Sequence, residues 1–146
     1  MLKIAVCDDN KETTAFLRRT LAAILSGMGI AHDIAVFHAA SGLCGALKDG
    51  ADLSLIFLDI EFGKNEMDGI QAGNHIRQTL NNYSASIAYM SWTKRYSYPL
   101  IKTRPMEFLI KPLSYERIEE AVNTYLHSPN PSGGAKLDPQ NSVKVL

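Results

Sequence analysis

The chain of 146 residues contains little cysteine, no excess of either charge and no long apolar run. Its two cysteines, Cys7 and Cys44, lack the spacing of metal or redox motifs, and two thiols are too few for a disulfide scaffold. We therefore expect both thiols to be reduced. The 15 basic residues balance the 15 acidic ones, so no net field attracts nucleic acid or an anionic membrane. Direct contact of this segment with nucleic acid is not expected.

Sequence features of membrane insertion and secretion are also missing. No apolar run reaches the roughly 18 residues that cross a bilayer, and the N-terminus lacks a signal peptide's basic stretch and cleavage site. We therefore expect a cytoplasmic protein with no membrane partner. The length suits one domain with its own core. Proline and glycine without periodicity in residues 128–146 indicate a linker or tail, and its end, "SVKVL", could begin a strand of a second domain.

Five apolar stretches alternate with amphipathic ones along residues 1–127. The apolar stretches, typical of strands, are "KIAVCDD", "HDIAVFH", "LSLIFLDI", "SASIAYM" and "MEFLI". The third is continuously apolar, which is typical of a strand covered on both faces. Because crossovers between parallel strands are right-handed, the alternation predicts an α/β fold with a doubly wound, five-stranded parallel sheet and helices on both faces. We expect the flavodoxin-like strand order 2-1-3-4-5.

The first and last helices have the clearest signals. Asn10 and Ser114 are their expected N-caps. Apolar residues at helical spacing predict the buried faces. These residues are Leu17, Leu21, Ile24 and Met28 in the first helix, and Tyr115, Ile118, Val122 and Tyr125 in the last. A fourth helix near "RYSYPLIK" is only weakly indicated.

Charged and hydroxyl side chains stand at the predicted carboxyl ends of the strands. Asp8 and Asp9 follow the first strand, and the third, fourth and fifth end in Asp59, Ser91 and Lys111. In doubly wound sheets, ligands bind at these ends, where the strand order reverses. Three carboxylates and one ammonium leave two negative charges to be neutralised. Oxygen ligands select a hard divalent cation, so we expect Mg²⁺, with Mn²⁺ as a substitute.

The same layout suits phosphoryl transfer. Asp59 is the candidate nucleophile, and Ser91 and Lys111 would hold the phosphoryl oxygens through a hydroxyl and an ammonium. Simpler interpretations remain open. The acidic pair Asp8 and Asp9 would also suit the N-terminus of the first helix, and Asp59 alone would be an ordinary residue at a strand end.

Five motifs in order, "CDDN", "IFLDIEF", "MDG", "MS" and "FLIKPLS", resemble the receiver domain of two-component response regulators. The resemblance extends from Leu2 to about His127, and "LDIE" with "PMEFLIKPLS" is most similar to receivers of LytTR-type transcription factors. It implies a receiver domain at residues 1–127 that takes a phosphoryl group from a sensor histidine kinase.

The resemblance also implies a role for individual residues of the site. It makes Asp8 and Asp9 the acidic pair for Mg²⁺, Asp59 the phosphoacceptor and a metal ligand, and Glu61 a ligand through its backbone carbonyl. It makes Ser91 the switch hydroxyl, Phe108 the aromatic switch residue and Lys111 the family's lysine. Pro112 would follow a cis peptide bond.

Two features depart from the family pattern. The segment "EFGKNEMDG" is longer by a residue or two than in many receivers, which predicts a reshaped loop beside Asp59. Trp92, the only tryptophan, follows Ser91 where a small residue is usual. We expect its ring to line the site and to restrict access to Asp59.

The implied function is signal relay. Such a domain catalyses its own phosphorylation and dephosphorylation without being a turnover enzyme, forms a homodimer on activation and controls an output domain, here one of the DNA-binding LytTR type. Two alternatives stay open: an interaction module that does not cycle phosphate, and an aspartate-nucleophile phosphatase of the haloacid dehalogenase type. The phosphatase would want a second Asp two residues after the nucleophile, where this chain has Glu61.

Overall fold

The computed structural model describes residues 1–128. The tail expected at residues 128–146, including the strand suggested by "SVKVL", lies outside the described residues from position 129 onward, so this boundary stays a prediction. Within residues 1–128, no helix combines the length and the apolar character needed to cross a membrane.

The described chain forms a parallel sheet covered by helices. The strands are β1 (Leu2–Cys7), β2 (His32–Phe37), β3 (Leu55–Asp59), β4 (Ser86–Ser91) and β5 (Glu107–Ile110). The helices are α1 (Lys11–Gly27), α2 (Ala40–Lys48), α3 (Gly69–Asn74), α4 (Ser97–Leu100) and α5 (Tyr115–Leu126). All strand pairs are parallel, and the order is β2-β1-β3-β4-β5. The predicted fold class and strand order are therefore confirmed.

Strand β3 lies at the centre of the sheet, and all five of its residues are buried. Its side chains alternate between two apolar clusters, one on each face of the sheet. Ile56 and Leu58 pack on the face covered by α2 and α3, whereas Leu55 and Phe57 pack on the face covered by α1 and α5. The register pairs Cys7 of β1 with Leu58 of β3. The next residues, Asp8 and Asp59, therefore lie side by side at the ends of these strands.

The helix caps agree with the sequence analysis, but the ends of two apolar stripes do not. The Asn10 side chain accepts hydrogen bonds from the amides of Glu12 and Thr13, and Ser114 caps α5 in the same way. Met28 was expected on the buried face of α1, but it follows the last residue of the helix and is 40% exposed. Tyr115 is 43% exposed, because the first turn of α5 extends beyond the edge of the core.

The helical segment that begins with α3 changes geometry halfway. After Asn74 the chain forms one π-helical turn at His75–Thr79, which carries the buried Arg77. The Arg77 guanidinium donates to the carbonyls of Thr103 (2.7 Å), Ala85 (2.7 Å) and Asn82 (3.0 Å). Carbonyl acceptors stabilise the buried cation without a carboxylate. The arginine thereby joins the end of this helix to the segment before β5.

The weakly indicated fourth helix is short and irregular. One 3₁₀ turn at Lys94–Tyr96 precedes α4, and another at Ile101–Thr103 follows it. Arg104 then adopts a left-handed conformation with φ of 53°, which ends the helical segment before β5. A strong apolar periodicity is absent here because the segment spans only a few turns of changing geometry.

We predict that Gly73→Ala destabilises the protein through Tyr89. A Cβ atom at position 73 would overlap the Tyr89 hydroxyl and lie 3.1 Å from the ring carbon that bears it. We expect the free energy of unfolding to fall by about 1 to 3 kcal/mol. The loss should be smaller when Gly73→Ala is made in a Tyr89→Phe background, which lacks the clashing oxygen. Urea denaturation of the four proteins measures both effects.

Gly45→Ala in α2 is the matched control, since a Cβ there meets no atom within 4 Å. It should leave stability unchanged or raise it by up to about 1 kcal/mol. Equal losses from Gly73→Ala in the two Tyr89 backgrounds would contradict the proposed clash.

Candidate functional site

Three carboxylates meet where β1 and β3 end. Oxygens of Asp8, Asp9 and Asp59 all lie within 4.8 Å of one another. Asp8 and Asp59 are buried, with 0% and 1% of their surface exposed, whereas Asp9 is exposed. The arrangement follows from the sheet order, because β1 and β3 are neighbours and both strands end at this edge. Asp8 also accepts a 2.9 Å hydrogen bond from the amide of Asn10, which orients one side of its carboxylate.

Lys111 places a cation among these carboxylates. Its Nζ atom lies 2.7 Å from Asp8 Oδ2 and 2.8 Å from Asp59 Oδ1, and the side chain is nearly buried. The amide of Lys111 donates a 2.7 Å hydrogen bond to the carbonyl of Ser91, which fixes the end of β5 against the end of β4. The following peptide bond, Lys111–Pro112, is cis. One ammonium therefore pairs with two of the three carboxylates.

The Ser91 hydroxyl points to Glu61 in this structure. Ser91 Oγ donates a 2.5 Å hydrogen bond to Glu61 Oε2 and accepts one of 3.0 Å from the amide of Thr93. The resemblance implied a role only for the backbone carbonyl of Glu61, so this side-chain contact was not predicted. The sequence carries two signals for this contact. They are the carboxylate two residues after Asp59 and the hydroxyl at the end of the neighbouring strand.

Trp92 lies beside the carboxylate cluster. Lys111 Nζ is 5.8 Å from the centre of its ring, and 64% of the residue is exposed. The ring lines a cavity of about 290 Å³ together with Phe16, Lys111 and Leu113. Phe108, the expected aromatic switch residue, is half-buried against the apolar cluster under α2 and α3, opposite Tyr89 of β4.

Burial raises the pKa of Asp59 to about 7, from an ordinary value of 3.8. The hydrogen bond from Lys111 opposes this effect, and the charge of Asp8 adds to it. Burial lowers the pKa of Lys111, but contacts with Asp59 and Asp8 outweigh burial and the net shift is upward. Burial also raises the pKa of Asp9, with the charge of Asp8 contributing. The carboxylate cluster thus concentrates negative charge, which favours the binding of protons or cations.

The donor set fits a hard divalent cation. Asp8, Asp9 and Asp59 offer only carboxylate oxygens, which suit Mg²⁺ rather than zinc. Both cysteines are free and buried, and burial raises the pKa of Cys7, so its thiol is disfavoured as a thiolate ligand. Lys111 supplies one positive charge against three carboxylates, so it leaves negative charge that a dication would neutralise.

Comparison with solved structures identifies the architecture. The receiver domain of RcsB from Salmonella enterica serovar Typhimurium, solved with phosphomimetic beryllofluoride, superposes with a TM-score of 0.69 at 15% identity, covering 99% of this chain and 98% of that one. This chain has the receiver fold of response regulators. A receiver domain of a histidine kinase from Clostridium thermocellum gives a TM-score of 0.68 at 19% identity, covering 86% of this chain and 98% of that one.

A CheY-like receiver domain protein from Methanospirillum hungatei also shares the receiver fold. Its TM-score is 0.63 at 20% identity, and the match covers 86% of this chain and 94% of that one. No protein-family model matches the sequence, and no curated protein does either. At these identities the likeness concerns the fold alone.

The receiver fold brings most of the predicted site residues together. Asp8, Asp9, Asp59 and Lys111 form one cluster with Trp92 at its edge. Ser91 borders the cluster, but its hydroxyl bonds to Glu61 instead of Asp59. The roles of these residues in metal binding and phosphoryl transfer stay predictions.

The raised pKa of Asp59 predicts a pH dependence of stability in metal-free protein. Folding raises this pKa from 3.8 to about 7. The stabilising contribution of Asp59 is therefore complete below its pKa in the unfolded state, and it is lost as the pH rises through its pKa in the folded state. Between about pH 5 and about pH 8, the free energy of unfolding should fall by about 2 to 3 kcal/mol more in the wild type than in Asp59→Asn, since one pKa unit corresponds to about 1.4 kcal/mol.

Urea unfolding in excess chelator at the two pH values measures this difference. Asp52→Asn, at an exposed position before β3, is the control and should follow the wild type. The same pH dependence in wild type and Asp59→Asn would show that Asp59 does not hold its proton more tightly in the folded state.

Trp92 should report the binding of Mg²⁺. Its ring lies beside Lys111, whose ammonium contacts two of the clustered carboxylates, so a bound dication changes the field at the indole. We expect a saturable change in emission when Mg²⁺ is added to metal-free wild type, and a greatly weakened response in Asp9→Asn. A constant emission, with metal binding confirmed by calorimetry, would contradict the expected coupling between ring and site.

Proposed function

We propose that this protein is a phosphoacceptor receiver domain of a response regulator. The observation that carries the proposal is the buried Asp59 carboxylate, which contacts Lys111 and clusters with the acidic residues Asp8 and Asp9. The receiver fold supports the proposal, because in doubly wound sheets ligands bind at the ends of these strands.

The donor in this proposal is a phosphohistidine of a sensor histidine kinase. A carboxylate oxygen of Asp59 attacks the phosphorus atom, the new P–O bond forms, and the P–N bond breaks with its electron pair staying on the imidazole nitrogen. Lys111, already 2.8 Å from Asp59, donates to a phosphoryl oxygen. Asp8, Asp9 and Asp59, with the Glu61 carbonyl, would hold Mg²⁺, which supplies neutralisation of phosphoryl charge when bound.

The output of the proposed switch is a change at the surface of α4, β5 and α5. Ser91 moves toward the phosphoryl group, and Phe108 repacks between β4 and the neighbouring helices. Phosphorylation shifts this equilibrium only by its different affinity for the two states. In our proposal the chain then forms a homodimer and controls a DNA-binding output domain, of the LytTR type that the sequence resembles.

The direct test is phosphorylation by phosphoramidate, a small donor with a P–N bond. Intact-mass spectrometry should show one phosphoryl group on wild type in the presence of Mg²⁺ and none on Asp59→Asn, because in this proposal Asp59 is the nucleophile whereas Asp8 and Asp9 serve to hold the metal. Asp52→Asn should be modified like the wild type.

Two outcomes would contradict the proposal. Modification of Asp59→Asn would place the phosphoryl group elsewhere, and an unchanged rate in excess chelator would remove the role of the metal. A wild type that binds Mg²⁺ and a kinase but never takes a phosphoryl group would instead support the interaction module that does not cycle phosphate.

A further inference from the structure

The hydrogen bond between Ser91 and Glu61 engages the only proton that the Ser91 hydroxyl can donate. Its Oγ atom lies 2.5 Å from Glu61 Oε2, and the amide of Thr93 donates to the same oxygen. A hydroxyl donates one hydrogen bond and accepts up to two. Ser91 is completely buried, so water does not offer its hydroxyl an alternative acceptor. The hydroxyl can donate either to Glu61 or to an acceptor on Asp59, but not to both.

The Glu61 carboxylate depends on this contact. Its second oxygen, Oε1, is buried and has no hydrogen-bond partner within the described part of the chain. Glu61 forms no salt bridge among residues 1–128, since the pairs there involve Lys111 and Arg117. A partly buried carboxylate with one acceptor unsatisfied gains strongly from a hydroxyl donor. Within residues 1–128, the Ser91 hydroxyl is the one donor that hydrogen-bonds to the Glu61 carboxylate.

We propose that Glu61 is a positioning residue that holds the Ser91 hydroxyl away from Asp59 in the resting protein. This inference rests on the proposed function, in which Ser91 donates to the group carried by Asp59. Glu61 opposes that state because it competes for the single proton of the Ser91 hydroxyl. The side chain thereby sets how strongly the resting conformation is favoured.

Beryllofluoride, which mimics a phosphoryl group on a carboxylate, is the probe for this role. Its affinity is measured by calorimetry in saturating Mg²⁺ for wild type, Glu61→Ala and Glu61→Gln. Glu61→Ala should bind about tenfold more tightly, the size expected when a hydrogen bond to a charged group no longer competes. Glu61→Gln keeps an acceptor without the charge and should fall between the two. Glu66→Gln, exposed in the same loop, is the control for charge removal and should match the wild type.

A double-mutant cycle with Ser91→Ala separates the hydrogen bond from simple charge repulsion. If Glu61 acts through Ser91, then Glu61→Ala should change beryllofluoride affinity by less than about twofold in the Ser91→Ala background. A full tenfold gain in both backgrounds would overturn the proposal, because Glu61 would then act by its charge alone.

The amide of Thr93 gives a readout that does not depend on ligand affinity. Since this amide donates to Ser91 Oγ, its proton resonance follows the position of the hydroxyl. In protein without metal or beryllofluoride, Glu61→Ala should move the Thr93 resonance toward the position it takes in beryllofluoride-bound wild type. An unmoved resonance would show that Ser91 keeps its place without Glu61 and would overturn the inference.

The failure of this inference is distinguishable from failure of the proposed function. If wild type binds beryllofluoride and the Glu61 variants bind it equally well, the positioning role alone is wrong. If neither the wild type nor any variant binds beryllofluoride in saturating Mg²⁺, the phosphoacceptor function is wrong, and the role of Glu61 is overturned with it.

Discussion

The site depends on the contact of one buried ammonium with two buried carboxylates. Lys111 reaches Asp8 and Asp59 within 2.8 Å, although the three residues are far apart in sequence. Removing such charges from water costs several kcal/mol per ion, and the pairing offsets the cost only when the geometry is good. The geometry is supplied by the sheet, because β1, β3 and β5 all end at the same edge. The negative charge that remains after pairing is the reason why we expect a cation at this site.

The core explains why these charges are held so closely. Strand β3 is buried on both faces, and its register with β1 leaves Asp8 and Asp59 no freedom to separate. Helix α3 then begins directly against the end of β3. A Cβ at Gly69 would lie only 2.6 Å from the Cα of Ile60, so the close approach requires glycine. The "MDG" motif therefore has a packing reason that is independent of any chemistry.

The carboxylates are held in place by the sheet, whereas the residues around them are oriented by loops or lie mostly in solvent. Ser91 lies at the end of a strand, but the orientation of its hydroxyl is decided by Glu61 and the amide of Thr93, both in loops. Trp92 has most of its surface in solvent and contacts the site through Lys111. The acidic cluster is held by the sheet, whereas the Ser91 hydroxyl is oriented by loops. A small change in these loops therefore alters the preferred orientation of the hydroxyl.

The sequence by itself determined the fold class, the strand order and the position of each charged residue at a strand end. Apolar stretches and helical periodicity are local patterns, and the handedness of crossovers leaves only a few topologies compatible with them. Only the tertiary structure decided which groups each side chain contacts. It gave Arg77 its carbonyl acceptors, turned the Glu61 side chain toward Ser91, and exposed Met28 and Tyr115 at the ends of their helices. These outcomes depend on distances between segments remote in sequence, on which local patterns carry no information.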